Sequence, residues 1–350
     1  MMNRTFRMPA EWEPHRVTWI AWPHQREDWP AKFEPIPWVY TEIVRHLAAS
    51  EQVGIVANEE LANEARQMLR RVGVDLGRIT FAPFATDRVW MRDSGPIFVY
   101  ETGNDTSRLV ALDWHFNAWA KYDNYHHDDR LPEELASFLG LERIQPDWHG
   151  RRLVLEGGAI DVDGQGLLLT TEECLLDQAV QVRNPGLSRA DLEAALRTYL
   201  GVRDIIWLHR GIVGDDTHGH VDDLTRFVAP GTVVTAIEPD RGDVNHDLLA
   251  ENLERLRAFR DSQGRGLRIH TLPMPSPIVF DGQRVPASYA NFFIANDRVL
   301  VPTFNDAQDR HALNKLAELF PTRQVVGIHA VDLVWGLGTL HCLTQQEPAA

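Results

Sequence analysis

Cysteine is scarce in this chain: 350 residues hold two, Cys174 and Cys342. Two thiols cannot build a disulfide framework, and they fit a reducing compartment such as the cytoplasm. No apolar run is long enough to span a bilayer, and the opening segment from Met1 to Pro9 lacks the apolar core of a signal peptide. Basic residues are also few, 35 Lys and Arg against 50 Asp and Glu, for a formal charge of −15. That disfavours a general nucleic-acid surface, which needs a basic stripe. It suits a small cationic partner, because an acidic field steers cations inward. There is no linker, low-complexity tract or abrupt change of composition, so one domain spanning residues 1–350 is expected.

What is present is ordinary for a globular protein, with 44% hydrophobic and 24% charged residues. Tryptophan is the exception, at eleven. Core packing accounts for most of them, but aromatic faces also suit cationic and planar ligands. Apolar spacing predicts strands at 17–22, 53–57 and 79–83, a helix over 38–49 and another over 61–72. Further helices are predicted at 131–139, 189–200, 244–259 and 307–320. With 61–72 these make five, at intervals of roughly 55 to 70 residues, a period of the kind that repeat architectures show. Short strands lie between them: 152–155 with 167–170, 205–208 with 226–228 and 233–236, and 268–272 with 292–295 and 299–302. Each unit reads strand, strand, helix, strand. Five such units without a boundary predict a closed α/β ring, in which loops from distant units converge on a central channel. An open α/β sheet is the alternative.

Five stretches could carry chemistry. Trp90-Met91-Arg92-Asp93-Ser94-Gly95-Pro96 runs strand-like residues into a turn, where Asp93 either faces a cavity or caps the turn. Leu153-Val154-Leu155-Glu156-Gly157-Gly158 delivers Glu156 at the end of an apolar strand, a costly place for a carboxylate without a partner. Asp215-Asp216-Thr217-His218-Gly219-His220-Val221-Asp222-Asp223 is the densest. His218 and His220 with the carboxylates could bind a metal, or His220 and Asp222 could share one face and move protons. The aromatic run from Phe116 to His127, with Trp119, reads as a shaped loop over a site. Last, Gly336-Leu337-Gly338-Thr339-Leu340-His341-Cys342 places a thiol after two glycines. Cys174 reads as packing. Ser288 to Asn291 lies before an apolar strand and is a candidate lining of the same cavity.

Cys342, His220, Asp93, Glu156 and Asp222 form a working set. Cysteine with histidine is the minimum for covalent catalysis. Carboxylates beside a thiol raise its pKa and so oppose the thiolate. That conflict disappears if the ligand brings positive charge. A guanidinium does, and its planar fork of donors matches carboxylates.

The motifs Trp90 to Pro96, Glu156-Gly157-Gly158, Gly219-His220-Val221-Asp222 and His341-Cys342-Leu343-Thr344-Gln345-Gln346 resemble, in this order and spacing, those of the agmatine deiminase family, which includes the bacterial-type peptidylarginine deiminases. Met8-Pro9-Ala10-Glu11-Trp12-Glu13-Pro14-His15 and Pro286 to Phe292 resemble it too, so the likeness covers almost the whole chain. It implies the pentein fold, a five-unit ββαβ propeller with pseudo-fivefold symmetry. It implies that Asp93 and Asp222 hold guanidinium nitrogens, that Glu156 lies beside His220 or the substrate, and that Cys342 attacks the guanidinium carbon. His220 would protonate the departing ammonia and then activate water on a thiouronium intermediate. Trp90, Asp216 and Trp119 are implied as substrate-binding residues, no metal or organic cofactor is required, and a homodimer is the implied assembly. The implied reaction converts agmatine to N-carbamoylputrescine and ammonia in cytoplasmic polyamine synthesis. His218, Asp216, Leu337 and Thr339 depart from the family's usual residues, and the loop at Trp119-Ala120-Lys121 lacks a glycine found in relatives. These departures leave open another guanidine, free or peptide-linked arginine, as substrate. A non-catalytic binding module is the alternative of another class.

Overall fold

The strand His15–Ala21 is buried at all but one position and runs parallel to Gln52–Val56, which in turn runs parallel to Ile79–Ala82. Strands covered on both faces read as near-continuous apolar runs, as Val17 to Ala21 does apart from Thr18. Close packing fixes Gly54 in this sheet, because a Cβ there would stand 2.2 Å from the Trp19 ring. Helix Ile36–Leu47 crosses between the first two strands. Its buried residues Ile36, Tyr40, Ile43, Val44 and Leu47 recur at helical spacing, and Pro37 sits in its first turn, where a missing N–H costs nothing. Emptying one such core position, as in Ile43→Ala, removes about 2–5 kcal/mol of stability.

The structure, a computed structural model, describes residues 4–103 and 106–349. Met1, Met2 and Asn3, part of the segment read above for a leader core, lie outside the described residues, as does the last residue of the 1–350 span. Among the described residues no helix is long and apolar enough to cross a membrane.

The fold is mixed α/β. Five sheets share one plan: an antiparallel pair, then a helix, then a strand parallel to the second of the pair. In three of them the pair and its parallel strand are Asp161–Val162, Leu167–Thr171 and Asp204–Leu208; Thr225–Ala229, Thr232–Ile237 and Arg268–Pro273; and Phe293–Ile294, Arg298–Thr303 and Gln324–His329. Helices Arg189–Leu200, His246–Ala258 and Gln308–Leu319 make the crossovers. The first has its ends written in sequence: Ser188 and Asp191 form a capping box, and Gly201 takes the left-handed conformation after the last turn. A fourth sheet joins Ile97–Gly103, Thr106–Leu112 and Glu142–Ile144 through helix Leu131–Leu139, with Thr5–Arg7 added at its edge. The fifth is made by both ends of the chain, since Gln345–Pro348 pairs antiparallel with His15–Ala21.

Several sequence expectations need correction. The crossover helix of the fifth sheet is Ile36–Leu47, whereas the helix counted in the repeat, observed as Glu59–Arg71, makes a second crossover to Ile79–Ala82. Residues 152–155 are not the partner of Leu167–Thr171. Arg151–Arg152 pairs with Asp147–Trp148, Val154 makes an isolated bridge to His115, and the hairpin partner is Asp161–Val162. Asp93 is not at a strand end but within one helical turn, Met91–Ser94. These errors share a cause: an apolar run shows burial, and which neighbour buries it is decided elsewhere in the chain.

A regularity in the turns positions the site. A short turn comes directly before the first strand of each antiparallel pair. These turns are Met91–Ser94, Gly157–Ala159 and Val221–Asp223, the segment Ser288 to Asn291, and the segment Leu340 to Leu343. Between them they carry or flank Asp93, Glu156, His220, Asp222, Asn291 and Cys342.

Candidate active site

Cys342 is buried, and its sulfur has two polar neighbours. Asn291 Nδ2 donates to Sγ at 3.1 Å, and the thiol faces Asp222 Oδ2 at 3.6 Å. Asn291 also organises the turn that holds the thiol. Its Oδ1 accepts from Thr339 Oγ1 at 2.7 Å and from the His341 amide at 3.0 Å, and its Nδ2 also reaches Asp223 Oδ1 at 3.0 Å. Gly338 is needed next to this turn, because a Cβ there would lie 2.8 Å from Trp90 and 3.1 Å from the Cys342 Cβ. Leu337, one of the departures from the family's usual residues, adopts the left-handed conformation at φ 69°.

Behind the thiol lies a chain of buried charges. His341 Nδ1 is 2.7 Å from Asp222 Oδ2, and His341 Nε2 is 2.8 Å from Glu11 Oε2. Glu11 is paired with Arg226 at 2.9 Å and with Arg92 at 3.3 Å, and Arg226 continues to Asp161 at 2.8 Å. Burial alone would raise the Glu11 carboxyl, but Arg226, His341 and Arg92 outweigh it and hold it well below the usual range. Asp222 is likewise held down, with burial outweighed by the hydrogen bond and charge of His341.

His220 stands on the other side. Its Nδ1 faces Asp93 Oδ1 at 3.8 Å and its Nε2 faces Glu156 Oε2 at 3.9 Å. Gly158 makes this possible: a Cβ there would sit 2.5 Å from His220 Nδ1 and 2.8 Å from Asp93 Oδ1. Its amide instead donates to Asp93 Oδ1 at 3.0 Å. Trp119 Nε1 donates to Asp93 Oδ2 at 2.9 Å. Glu156 is fully buried and accepts from Arg183 Nε at 2.8 Å. Burial would lower the His220 imidazole, but Asp93, the Cys174 thiol and Glu156 raise it well above the ordinary histidine value. Asp93 is pushed up to about 6, by burial first, against the opposing pull of His220. Glu156 falls to about 2, because Arg183 and His220 outweigh the effect of its burial. Burial and then Asp222, Asp223 and Asp93 drive the Cys342 thiol well above its ordinary value. A cold thiol among carboxylates is therefore a property of the folded molecule as well as of its composition.

Among the described residues, His220 Nδ1 and Nε2, Glu156 Oε2 and Asp222 Oδ1 are buried without a hydrogen-bond partner. Such atoms are costly unless a ligand or an ordered water completes them. A cavity of about 530 Å³ opens over the thiol. Cys342, Asp93, Trp90 and Trp119 line it, and Asp28, Arg88, Tyr122 and Asp216 also contribute to its walls. Trp90 is braced from behind by Trp29, with ring centres 5.6 Å apart.

The structure thus brings Cys342, Asp93, Asp222, His220 and Glu156 into one neighbourhood, with Trp90, Trp119 and Asp216 on the cavity wall. Of the two places open to Glu156, it takes the one behind His220. The two histidines of the dense motif are parted, since His218 Nε2 meets Asp177 Oδ2 at 2.9 Å and lies outside the cavity lining. The donors of Glu156, Cys174 and His220, by contrast, lie within 4.8 Å of one another and form the one such group among the described residues able to hold a cation. Cys174 is therefore not only packing: it touches the environment of His220. Glu11, His341, Arg226 and Arg183 were given no role from sequence. Glu11 and His341 lay within motifs already noted, while nothing marked Arg183.

Fold and site together define a mixed α/β protein in which a buried thiol, a histidine and three carboxylates converge beneath one aromatic-walled cavity. The family model of the Porphyromonas-type peptidyl-arginine deiminases matches residues 7–348, and the chain belongs to that family. It is 36% identical to the agmatine deiminase of Pseudomonas aeruginosa strain LESB58, over 98% of this chain and 96% of that one. The agmatine deiminase of Enterococcus faecalis superposes with a TM-score of 0.89 at 32% identity, covering 99% of this chain and 98% of the other. A Cys-to-Ser variant of the C. jejuni agmatine deiminase with substrate bound does so with a TM-score of 0.86 at 28% identity, covering 99% and 97%.

Proposed function

We propose that this protein is an agmatine deiminase, hydrolysing agmatine to N-carbamoylputrescine and ammonia. The observation that carries the reading is the Cys342 thiol, held neutral by burial and by Asp222, Asp223 and Asp93 under the cavity. Only a ligand that brings positive charge turns that environment from a hindrance into a binding site. Asp93 and Asp222 take the guanidinium nitrogens. The bound cation lowers the thiol pKa, the thiol proton passes to solvent, and sulfur attacks the guanidinium carbon. The C–N π pair moves to nitrogen in the tetrahedral adduct. The His220 imidazolium gives its proton to one NH₂ group, the C–N bond breaks, and ammonia departs from a thiouronium. Neutral His220 then takes a proton from water, hydroxide adds to the carbon, and the C–S bond breaks as the hydroxyl proton passes to the leaving sulfur, releasing the ureido product and the thiol. Glu156, fixed by Arg183, orients His220. None of these steps calls for a metal or organic cofactor.

We also infer that the five sheets form one pentein propeller and one domain. The shared plan of the sheets, and the equivalent turns that bring residues from each to one site, support this. A cytoplasmic place in polyamine synthesis and a homodimer accompany the reading. Ammonia release from agmatine, free arginine and blocked arginine peptides, compared by kcat/KM with purified protein, tests the substrate. Agmatine is expected to be fastest, and finding it the slowest of the three overturns the assignment.

A further inference from the structure

Asp216 lies on the wall of the cavity that carries Cys342 and Asp93, and both its oxygens are already engaged. Lys121 Nζ is ion-paired to Oδ1, and the Tyr122 hydroxyl donates to Oδ2 at 2.7 Å. The placement of Lys121 is built into the backbone. Ala118, Trp119 and Ala120 have φ of 47°, 58° and 54°, three successive left-handed residues of which none is glycine. Each carries a cost in that conformation, so the surroundings must enforce it. They do: Asn117 Oδ1 accepts from the Ala120 amide at 2.9 Å. Gln181 Nε2 donates to the Trp119 carbonyl at 3.1 Å and to the Asp216 carbonyl at 3.0 Å, tying the two segments together. The turn sends the Trp119 indole inward to Asp93 and brings Lys121, two residues on, to Asp216.

We propose that Lys121 is a resident counter-ion: its ammonium occupies the carboxylate that a substrate's terminal ammonium would need, and it thereby sets how the site discriminates between guanidines by the charge of their tails. The proposal rests on the deiminase reading above. A guanidine with a cationic tail must displace Lys121 from Asp216 or bind beside a like charge. A guanidine of the same length with an apolar tail meets no such competitor. The Lys121 side chain is 39% exposed, so displacement into water is inexpensive and the effect is modest.

The test compares agmatine with n-pentylguanidine, in which a methyl group replaces the terminal ammonium, on wild type, K121M and K121R. K121M is expected to lower KM for agmatine about fivefold with kcat little changed, and to move KM for n-pentylguanidine less than twofold. K121R should keep the wild-type ratio of the two. An equal shift for both substrates, or a higher KM for agmatine in K121M, overturns the proposal. If K121M does not stay folded, K121Q makes the same comparison. Wild-type protein that releases no ammonia from either compound overturns the deiminase reading and this proposal with it. Activity with an unmoved ratio overturns the proposal alone.

Discussion

Behind Cys342, each buried carboxylate or guanidinium has a partner within hydrogen-bond reach or close to it: Glu11 has His341, Arg226 and Arg92, and Arg226 also has Asp161. Around His220 Glu156 is paired with Arg183 at 2.8 Å, but the ring itself stands 3.8 and 3.9 Å from the nearest carboxylates, with both ring nitrogens unpartnered. The first region is closely paired, although Arg226 Nη2 meets Glu11 by charge at 2.9 Å rather than through an aligned hydrogen bond, and it adjoins the turn bearing the thiol. The second is incomplete by itself. The difference separates residues that build the site from residues left available for chemistry, which residue type alone does not, since both regions use Asp, Glu, His and Arg.

Three measurements can break or sharpen this contrast. The largest effect is expected for C342A, which should cut ammonia release by about 10⁴-fold or more while leaving the thermal transition nearly unchanged. Release at the wild-type rate would end the thiol mechanism. Next is R226M, in the matched region. It strands the Asp161 carboxylate and leaves Glu11 with Arg92 and His341 alone, and a broken buried pair costs about 3–5 kcal/mol. It should appear as a fall in the unfolding temperature on the order of ten degrees, and a variant as stable as wild type would show that the network is dispensable. The smallest concerns pH. Burial pushes Asp93 up to about 6, and in the proposed mechanism it must be ionised to hold a guanidinium, so kcat/KM should decline as pH falls through that value. Well below it the decline should approach about tenfold per unit. Glu156, at about 2, stays ionised throughout. A profile flat down to pH 5 would remove Asp93 from the role given to it.

Much of the unit plan and of the site was legible in the sequence. Apolar periodicity marked most helices, and the glycine-flanked motifs marked Cys342, Glu156 and His220, because close approach of backbone to a side chain needs glycine nearby, as Gly158 and Gly338 demonstrate. What periodicity could not show was pairing between distant segments. Arg183 reaches Glu156 and Trp119 reaches Asp93 across 27 and 26 residues, and Glu11 meets His341 across 330. Trp119, Asp93, Glu11 and His341 lay in stretches the sequence marked, but none of these pairings has a local signature, since a buried polar partner is chosen by the fold that desolvates it. Helix Ile36–Leu47 was visible as a helix, but its place as the crossover of the fifth sheet depended on a strand from the far end of the chain.

That strand, Gln345–Pro348, begins three residues after Cys342 and closes on His15–Ala21; between them Trp19 Nε1 donates to Glu347 across 328 residues. Closing so long a loop costs chain entropy that the contacts between the paired ends must offset. The strand therefore ties the turn that bears the sulfur to the opposite end of the chain, and the surroundings that tune the thiol, Asp222, Asp223 and Asn291, are drawn from the middle. The reactive centre is thus a joint property of three remote parts of one polypeptide.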